Sequence, residues 1–165
     1  NEDQAVVWRG PMLAKGLDGL INKTHWGELD YLIVDFPPGT GDVQISMSQK
    51  LKLSGTLIVT TPQLLSLKDV IRGINMFVKV GVPILGVVEN MSYLEEDNQK
   101  KFIFGESKTK SMLLNENVNL IEELPFNLNI PKSCDEGKPY CFDYKDGYSQ
   151  QFENIANTIT KKFSN

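Results

Sequence analysis

An acidic residue followed by a turn rich in proline and glycine is the part of this sequence best suited to chemistry. The apolar residues 31–34 lead without a polar break into Asp35, and residues 36–42 read Phe-Pro-Pro-Gly-Thr-Gly-Asp. The apolar run predicts a strand buried on both faces, which should end near Asp35 because proline cannot donate to a sheet ladder. Proteins that transfer phosphoryl groups use an acid at this position to hold Mg²⁺. A strand followed by a turn with a capping aspartate is the alternative interpretation of the run.

Composition limits the classes of function. The 165 residues are 41% hydrophobic and 23% charged, with a net charge of −4, which is typical of one soluble globular domain. An acidic chain lacks the basic face that nucleic-acid phosphates require, so we expect no nucleic-acid partner. The sequence shows neither a long apolar stretch nor a signal-peptide pattern, which predicts no membrane span. Because the chain begins at Asn1 rather than Met, we expect it to be part of a longer protein.

The candidate ligands for a soft metal are two cysteines, Cys134 and Cys141. The six residues between them are too many for a Cys-x-x-Cys redox or zinc motif. Two thiols outside a disulfide framework fit a reducing compartment. They are either free thiols without a ligand role, or ligands completed by a second subunit or by upstream cysteines. The single histidine, His25, has no Cys or His neighbour and is interpreted as a loop or helix-end residue.

Hydrophobic periodicity predicts alternating strands and helices. We expect strands at residues 5–8, 31–35, 55–62, 83–90 and 118–124, and helices at residues 11–21, 43–51, 66–78, 107–117 and 152–163. Asp42 is the predicted N-cap of the second helix, and Gly81 should end the third. Residues 93–101 contain the acidic cluster at positions 95–97 and predict a solvated loop, while residues 130–148 look irregular.

This alternation predicts an α/β fold in which a parallel sheet is covered by helices on both faces. Polar or turn residues follow four of the expected strands, at positions 35, 60–61, 89–90 and 125–126. Because the carboxyl ends of parallel strands share one edge, that edge is the candidate site. We see no repeat, low-complexity tract or linker, so residues 1–165 are expected to belong to one domain.

Six motifs, in this order, resemble the Mrp family. Besides residues 35–42, they are Trp-Arg-Gly-Pro-Met at 8–12, Trp-Gly-Glu-Leu-Asp-Tyr at 26–31, Thr-Thr-Pro-Gln at 60–63, Val-Glu-Asn-Met-Ser at 88–92 and Asp-Glu-Gly-Lys-Pro at 135–139. Mrp proteins are deviant-Walker ATPases, relatives of MinD and ParA, that carry iron–sulfur clusters to target proteins. The resemblance implies a P-loop NTPase fold of the SIMIBI type. Residues 1–165 would form the C-terminal part of a single Mrp-type ATPase domain, without its N-terminal P-loop strand.

The resemblance also implies which residues handle phosphate and metal. Asp35 matches the Walker-B acid, which holds Mg²⁺ through water. Pro38, Gly39 and Thr40 match the switch that senses the γ-phosphate, where Gly39 can offer a backbone N–H. Asp35, Gly39 and Thr40 are therefore the candidate catalytic residues.

A second group of residues matches the adenine site of the family. Asn90 matches the asparagine that reads the adenine edge, which suits a carboxamide because it both donates and accepts. Pro125 and Phe126 match the segment that flanks the adenine ring. Without the resemblance, Asn90 reads as a turn residue after a strand.

Two departures from the family pattern matter. No Gly-Lys-Gly-Gly-x-Gly-Lys-Ser/Thr loop occurs, so the phosphate cradle is expected upstream of Asn1, and residues 1–165 alone should be inactive even if the intact protein hydrolyses ATP. Many relatives carry Cys-x-x-Cys shortly after Asn-Met-Ser, where it bridges a cluster between subunits, whereas residues 94–99 contain no cysteine. Cys134 and Cys141 are the candidate iron–sulfur ligands within residues 1–165, beside the interpretation that they are free thiols. A cysteine-free loop followed by the Phe-Ile-Phe-Gly segment at 102–105 resembles the plastid and organelle branch, the high-chlorophyll-fluorescence scaffold proteins.

The resemblance thus implies an ATP-dependent scaffold or carrier that delivers [4Fe–4S] clusters to recipient proteins. Its implied cofactors are ATP, Mg²⁺ and the [4Fe–4S] cluster, and the intact protein would be a homodimer in the cytoplasm or in a mitochondrion or plastid. One alternative is a positioning switch like MinD or ParA, which usually needs a basic amphipathic C-terminal helix; Lys161 and Lys162 are a weak signal of one. The other alternative is a scaffold that does not hydrolyse ATP.

Overall fold

The computed structural model describes residues 10–37, 39–97 and 99–164, without the side chains at positions 10, 11, 13, 14 and 17. The strand expected at residues 5–8 lies outside these ranges. The elements, in chain order, are α1 (Gly10–Asn22), α2 (Asp42–Lys50), β1 (Thr56–Thr60), α3 (Leu64–Lys79), β2 (Ile84–Glu89), β3 (Leu94–Glu96), β4 (Gln99–Lys101), α4 (Thr109–Leu114), β5 (Leu120–Glu123), α5 (Asn129–Asp135), α6 (Tyr140–Asp143) and α7 (Gly147–Lys161).

A three-stranded parallel sheet in the order β1-β2-β5 is the centre of the fold. Short apolar runs bounded by turn residues form its strands, as the sequence predicted. Thr60 pairs with Glu89, and Glu89 pairs with Glu123, so the carboxyl ends of the three strands lie in register.

Helices cover both faces of this sheet. Successive residues of a strand point to opposite faces, and the neighbours Val87 and Val88 of β2 accordingly lie in different clusters. Val87 packs with Val70 and Ile74 of α3 and with α4 on one face. Val88 packs with Ile155 of α7 on the other. The predicted architecture is confirmed.

The strand predicted at residues 31–35 is wrong for this structure. Residues 31–37 belong to no strand, and the Ile33 side chain is 91% exposed. An apolar run becomes a buried strand only when a neighbouring strand takes up its backbone hydrogen bonds. Within the described residues β1 pairs with β2 alone, so residues 31–35 have no strand partner in this sheet. The segment instead makes two ring contacts, Tyr31 with Phe163, just beyond the end of α7, at 6.2 Å and Phe36 with Phe77 of α3 at 6.1 Å.

The expected loop at residues 93–101 is a β-hairpin instead. β3 and β4 pair antiparallel, with Glu95 opposite Lys100, and the Lys101 ammonium forms an ion pair with Glu96. The acidic residues are exposed, as predicted. Their complementary charges across the hairpin explain why so polar a segment pairs, since opposite charges on facing strands stabilise the pair.

Two further local predictions need correction. Residues 130–148 are not irregular, because they contain helix α6 and nearly all of helix α5. The N-cap of α2 is Gly41 rather than Asp42, which is the first helical residue. Gly81 ends α3 as expected, with a φ of 75° directly after the C-cap Val80.

No helix in the described ranges is both long and apolar enough to cross a membrane.

Candidate functional site

The carboxyl edge of the sheet brings together the ends of β1, β2 and β5. The Asn90 N–H donates to the Thr60 carbonyl at 2.7 Å, and the Leu124 N–H donates to the Glu89 carbonyl at 2.8 Å. These bonds continue the ladders one residue past the strands. Asn90 and Pro125 therefore lie at the same edge, as the sequence predicted.

A cleft of about 490 Å³ opens beside this edge. Its size lies within the range of small-ligand pockets. Pro125 and Phe126 line it, as does Glu95 of the hairpin. The full lining is Tyr93, Glu95, Pro125, Phe126, Asn127, Asp146, Gly147, Tyr148 and Gln151. Aromatic surfaces with a few polar groups are the lining expected for a planar base.

The first turn of α7 forms one wall of the cleft. The Gln151 amide donates to the Glu123 carbonyl at 3.1 Å and joins this turn to β5. Burial raises the pKa of the Tyr148 phenol. Tyr148 also packs against Phe152 at a ring distance of 5.4 Å. The wall is thus fixed by both polar and aromatic contacts.

Asp146 is the N-cap of this helix. One carboxylate oxygen accepts from the Ser149 N–H at 2.9 Å, and the other accepts from the Tyr140 hydroxyl at 2.5 Å. The bond from Tyr140, followed by that from Ser149, holds the pKa of Asp146 below its usual value. Asp146 therefore stays ionised and faces the cleft as a negative charge.

Asn90 is at the edge but does not line the cleft. Its Oδ1 accepts from the N–H of Met91 at 2.9 Å, and Met91 has a left-handed φ of 55°. The carboxamide oxygen is thus occupied by its own turn, whereas no described partner is recorded for Nδ2. The turn role and the base-reading role are compatible in this geometry.

Asp35 lies in the exposed segment before the glycine turn. It makes no recorded hydrogen bond or ion pair with any described residue, so its carboxylate oxygens face solvent. Gly39 has a φ of 103°, which few residues other than glycine adopt. The Gln44 amide donates to the Pro37 carbonyl at 3.1 Å and ties the turn to α2. Thr40 is half-buried in the same turn, and position 38 lies outside the described residues.

The two cysteines lie on neighbouring short helices. Cys134 on α5 is exposed and Cys141 on α6 is half-buried, and both are free thiols. Across the described part of the chain, no group of three or more His, Cys, Asp or Glu side chains is placed to hold a metal ion. Since a [4Fe–4S] cluster takes four thiolates, these two cysteines do not complete a cluster site by themselves.

The sequence placed Glu89 at the candidate edge but gave it no role of its own, whereas the structure shows it fully buried at the end of β2. Its carboxylate accepts hydrogen bonds from the hydroxyls of Ser92, Ser107 and Thr109, the second at 2.5 Å. The sequence signal for this role is the glutamate directly after the apolar pair Val87 and Val88. A carboxyl group at the end of so apolar a strand is expected to be buried and therefore to need hydrogen-bond partners. The sequence could not identify the hydroxyl donors, since Ser107 and Thr109 lie 18 and 20 residues after Glu89.

The family described as "ParA: NUBPL iron-transfer P-loop NTPase" matches residues 1–160. This chain belongs to that family. The relatives of this NUBPL-family chain include the iron-sulfur cluster transfer protein NUBPL of Dictyostelium discoideum, 42% identical over 98% of the chain and 51% of the relative. They also include the iron-sulfur cluster carrier protein of Haemophilus influenzae, 41% identical over 97% of the chain and 44% of the relative. An Arabidopsis thaliana protein named as an iron-sulfur protein required for NADH dehydrogenase, mitochondrial, is 44% identical over 97% of the chain and 52% of the relative. The chain thus spans about half the length of the curated relatives it matches.

Solved structures show the same fold. A nucleotide-binding protein of Archaeoglobus fulgidus in complex with ADP superposes with a TM-score of 0.68 at 36% identity, over 76% of this chain and 53% of that one. The cell-division ATPase MinD of Pyrococcus furiosus superposes with a TM-score of 0.68 at 22% identity, over 95% and 63% of the two chains. The P-loop NTPase fold and the Mrp-type family are confirmed, while the plastid branch stays a prediction.

Proposed function

We propose that this chain is the C-terminal part of the ATPase domain of an ATP-dependent iron–sulfur cluster carrier, which delivers [4Fe–4S] clusters to recipient proteins. The observation that carries the proposal is the Phe126 cleft, the 490 Å³ space lined by Pro125 and Phe126 at the carboxyl edge of the sheet. Ligands of open α/β sheets bind at this edge. The names of the relatives and the ADP bound by the Archaeoglobus fulgidus protein support the same function.

The nucleotide base enters the Phe126 cleft. Pro125 and the Phe126 ring would flank its faces. Asn90 lies outside the cleft lining at the same sheet edge, and its Nδ2 would donate to the edge of a base that extends beyond the cleft toward β2. Glu95 and Asp146 place negative charge on the cleft wall, which repels phosphates and admits the uncharged base. The phosphates would therefore lie away from the hairpin, and a backbone N–H at Gly39 or Thr40 would meet the γ-phosphate.

Asp35 fits a role in holding Mg²⁺. A hard cation takes oxygen ligands, and the exposed carboxylate of Asp35 has its oxygens free of recorded protein partners among the described residues. Mg²⁺ supplies charge neutralisation on the phosphates when it is bound. Hydrolysis needs little covalent chemistry from the protein beyond positioning of this kind.

The cluster is cargo, and its ligands include at most Cys134 and Cys141 among the described residues. A second copy of the chain or cysteines outside residues 1–165 supply the rest, which favours a homodimer as the carrier. Free thiols and the mitochondrial and bacterial relatives support a reducing location in the cytoplasm or an organelle.

The test uses the full-length protein and its affinity for Mg-ADP, measured by calorimetry. Phe126→Ala should raise the Kd by about tenfold or more, since loss of one base-stacking ring costs about 1–3 kcal/mol. The matched control is Phe142→Ala, an aromatic of α6 that is 80% exposed and outside the cleft; its Kd should stay within about twofold.

Cargo transfer is tested with the same full-length protein. After reconstitution with iron and sulfide, it should restore the visible absorbance of an apo [4Fe–4S] acceptor, faster with Mg-ATP than without nucleotide. Equal effects of the two phenylalanine substitutions would reject the base cleft, and absence of transfer would reject the carrier role.

A further inference from the structure

The chain between β2 and α4 leaves the sheet and returns to it at one buried group. Residues 93–106, called here the hairpin segment, begin directly after Ser92 and end directly before Ser107. Both serine hydroxyls donate to the carboxylate of Glu89, as does the hydroxyl of Thr109. One carboxylate therefore fastens both ends of the hairpin segment to β2.

These hydrogen bonds have energetic weight because Glu89 is fully buried. A buried carboxyl group must be satisfied by hydrogen bonds, and each partner withdrawn leaves a buried polar oxygen less well satisfied. Displacement of either end of the hairpin segment removes such a donor. The base of the segment is thus resistant to motion, while β3 and β4 beyond it are short and largely exposed.

Phe126 of the cleft contacts both ends of the same segment. Its N–H donates to the Tyr93 carbonyl at 2.7 Å, and its ring lies 5.6 Å from the ring of Phe104. The Lys100 ammonium of β4 in turn lies 3.9 Å from the centroid of the Tyr93 ring, in a cation–π contact. Any ligand that repositions Phe126 therefore acts on the hairpin segment at both ends.

The hairpin segment is also part of two clefts. Glu95 and Tyr93 line the Phe126 cleft, and Tyr93 and Lys100 line a second cleft of about 300 Å³ on the Glu89 side. Tyr93 is the shared wall. A change in the first cleft alters the position of the side chains that bound the second.

We propose that nucleotide occupancy of the Phe126 cleft sets the order of the hairpin segment, and that Glu89 is the positioning residue for this coupling. The proposal rests on the proposed function, because a nucleotide base must enter the cleft. Occupancy fixes Phe126, and Phe126 fixes Tyr93 and Phe104. Glu89 makes the response cooperative, since its hydroxyl donors hold the two ends in one arrangement. Coupling between two sites is reciprocal, so loosening the hairpin segment must weaken nucleotide binding by the factor by which nucleotide tightens the segment.

Hydrogen exchange of the full-length protein, followed by mass spectrometry with and without Mg-ADP, tests this coupling. Saturating Mg-ADP should slow exchange of the amides in residues 94–103 by about fivefold or more. Ser107→Ala should speed their exchange in the ligand-free protein and raise the Kd for Mg-ADP by a similar factor.

The matched control is Ser111→Ala on α4, because the Ser111 hydroxyl donates to the Lys108 carbonyl and has no recorded bond to Glu89. It should leave both quantities within about twofold. A merely structural role of Ser107 would lower thermal stability without changing the protection that Mg-ADP confers.

The outcomes separate the two proposals. Binding of Mg-ADP to the wild-type protein without protection of residues 94–103 overturns the coupling and leaves the proposed function standing. Absence of Mg-ADP binding overturns both. If Ser107→Ala does not fold, Ser92→Ala takes its place, because the Ser92 hydroxyl is another donor to Glu89 and its loss should have the same two effects.

Discussion

Tyr140 donates a 2.5 Å hydrogen bond to the carboxylate of Asp146, and the other oxygen of the same carboxylate caps helix α7. A single side chain thus joins α6 to the start of the helix that forms a wall of the Phe126 cleft. The capping box is complete, because Ser149 also accepts from the Asp146 N–H. The shape of the cleft therefore depends on the ionised form of Asp146.

The pH dependence of stability should reveal this carboxylate. Its pKa in the folded protein lies below the unfolded value of 3.8, so its contribution is complete above that pH and is lost as pH falls through the lower folded pKa. Asp146→Asn should flatten the decline in the urea midpoint below pH 3.8, and Asp146→Ala should cost about 1 kcal/mol at pH 7. Asp143→Asn, an exposed acid on α6, is the control. If the urea midpoint fell equally with decreasing pH in wild type and in Asp146→Asn, the capping role would be contradicted.

Gly86 in β2 should not tolerate a side chain. Its φ is 150°, and a Cβ there would lie 2.6 Å from Ile121 Cδ1 and 3.1 Å from the Asn119 carbonyl. Gly86→Ala should lower the free energy of unfolding by about 1–3 kcal/mol through this overpacking. Gly73→Ala on α3 is the matched control, because its Cβ would meet no atom within 4 Å; it should stabilise by up to about 1 kcal/mol. Urea denaturation of both variants measures the difference, and equal effects would refute the packing argument.

The sequence predicted those elements whose evidence is local. β2 and α3 are apolar runs of the right period, each bounded by its own turn residues, and they form where expected. The apolar run at residues 31–34 has the same local pattern, but it forms no strand because a strand also needs a hydrogen-bonded neighbour. The hairpin depends on cross-strand pairs such as Glu95 with Lys100, which no local pattern shows.

The candidate site was predictable to the same extent. Asn90 and Pro125 directly follow strands, so a parallel sheet places them at one edge without further information. Asp146 and Gln151 reach the cleft only because α7 packs across β5. Such a contact is tertiary and has no periodic signature along the chain.

Asp35 should be required for turnover in the full-length protein. Asp35→Asn should lower ATP hydrolysis at least about tenfold, because a carboxamide cannot replace a carboxylate that holds Mg²⁺. Since the Asp35 side chain is exposed, thermal stability should hardly change. Asp30→Asn, an exposed acid in the same segment, is the control for charge. Phosphate release is the measurement, and turnover within a factor of about two of wild type would remove the metal role.

The hairpin segment should not hold an iron–sulfur cluster. Its residues offer no thiolate, and clusters of this type are held by cysteine sulfur. After reconstitution of residues 1–165 with iron and sulfide, any absorbance of a cluster should vanish when Cys134 and Cys141 are both replaced by Ser. Conversion of Ser111 and Ser133 to Ala is a control that keeps both thiols. Iron–sulfur absorbance that survives the double serine variant would show a ligand set without these cysteines.

The outer edge of β1 should govern how residues 1–165 behave alone. Within the described residues β1 pairs on one side only, and Val59 on it is 60% exposed. An apolar unpaired edge promotes association with other strands, so we expect these residues in isolation to self-associate in sedimentation velocity. Val59→Lys should shift them toward monomer, whereas Val78→Lys, at a similarly exposed position on α3, should not.

The same residues should bind Mg-ATP weakly. They contain no Gly-Lys-Gly-Gly-x-Gly-Lys-Ser/Thr loop, and such a loop supplies the backbone N–H groups that hold phosphates. Calorimetric titration should therefore give a Kd at least about a hundredfold weaker for residues 1–165 than for the full-length protein, since nearly all phosphate contacts are missing. Affinity should be regained only in chains that carry a phosphate loop beside β1. Micromolar binding by a monomer of residues 1–165 would contradict both the edge argument and the assignment of phosphate contacts to a segment outside them.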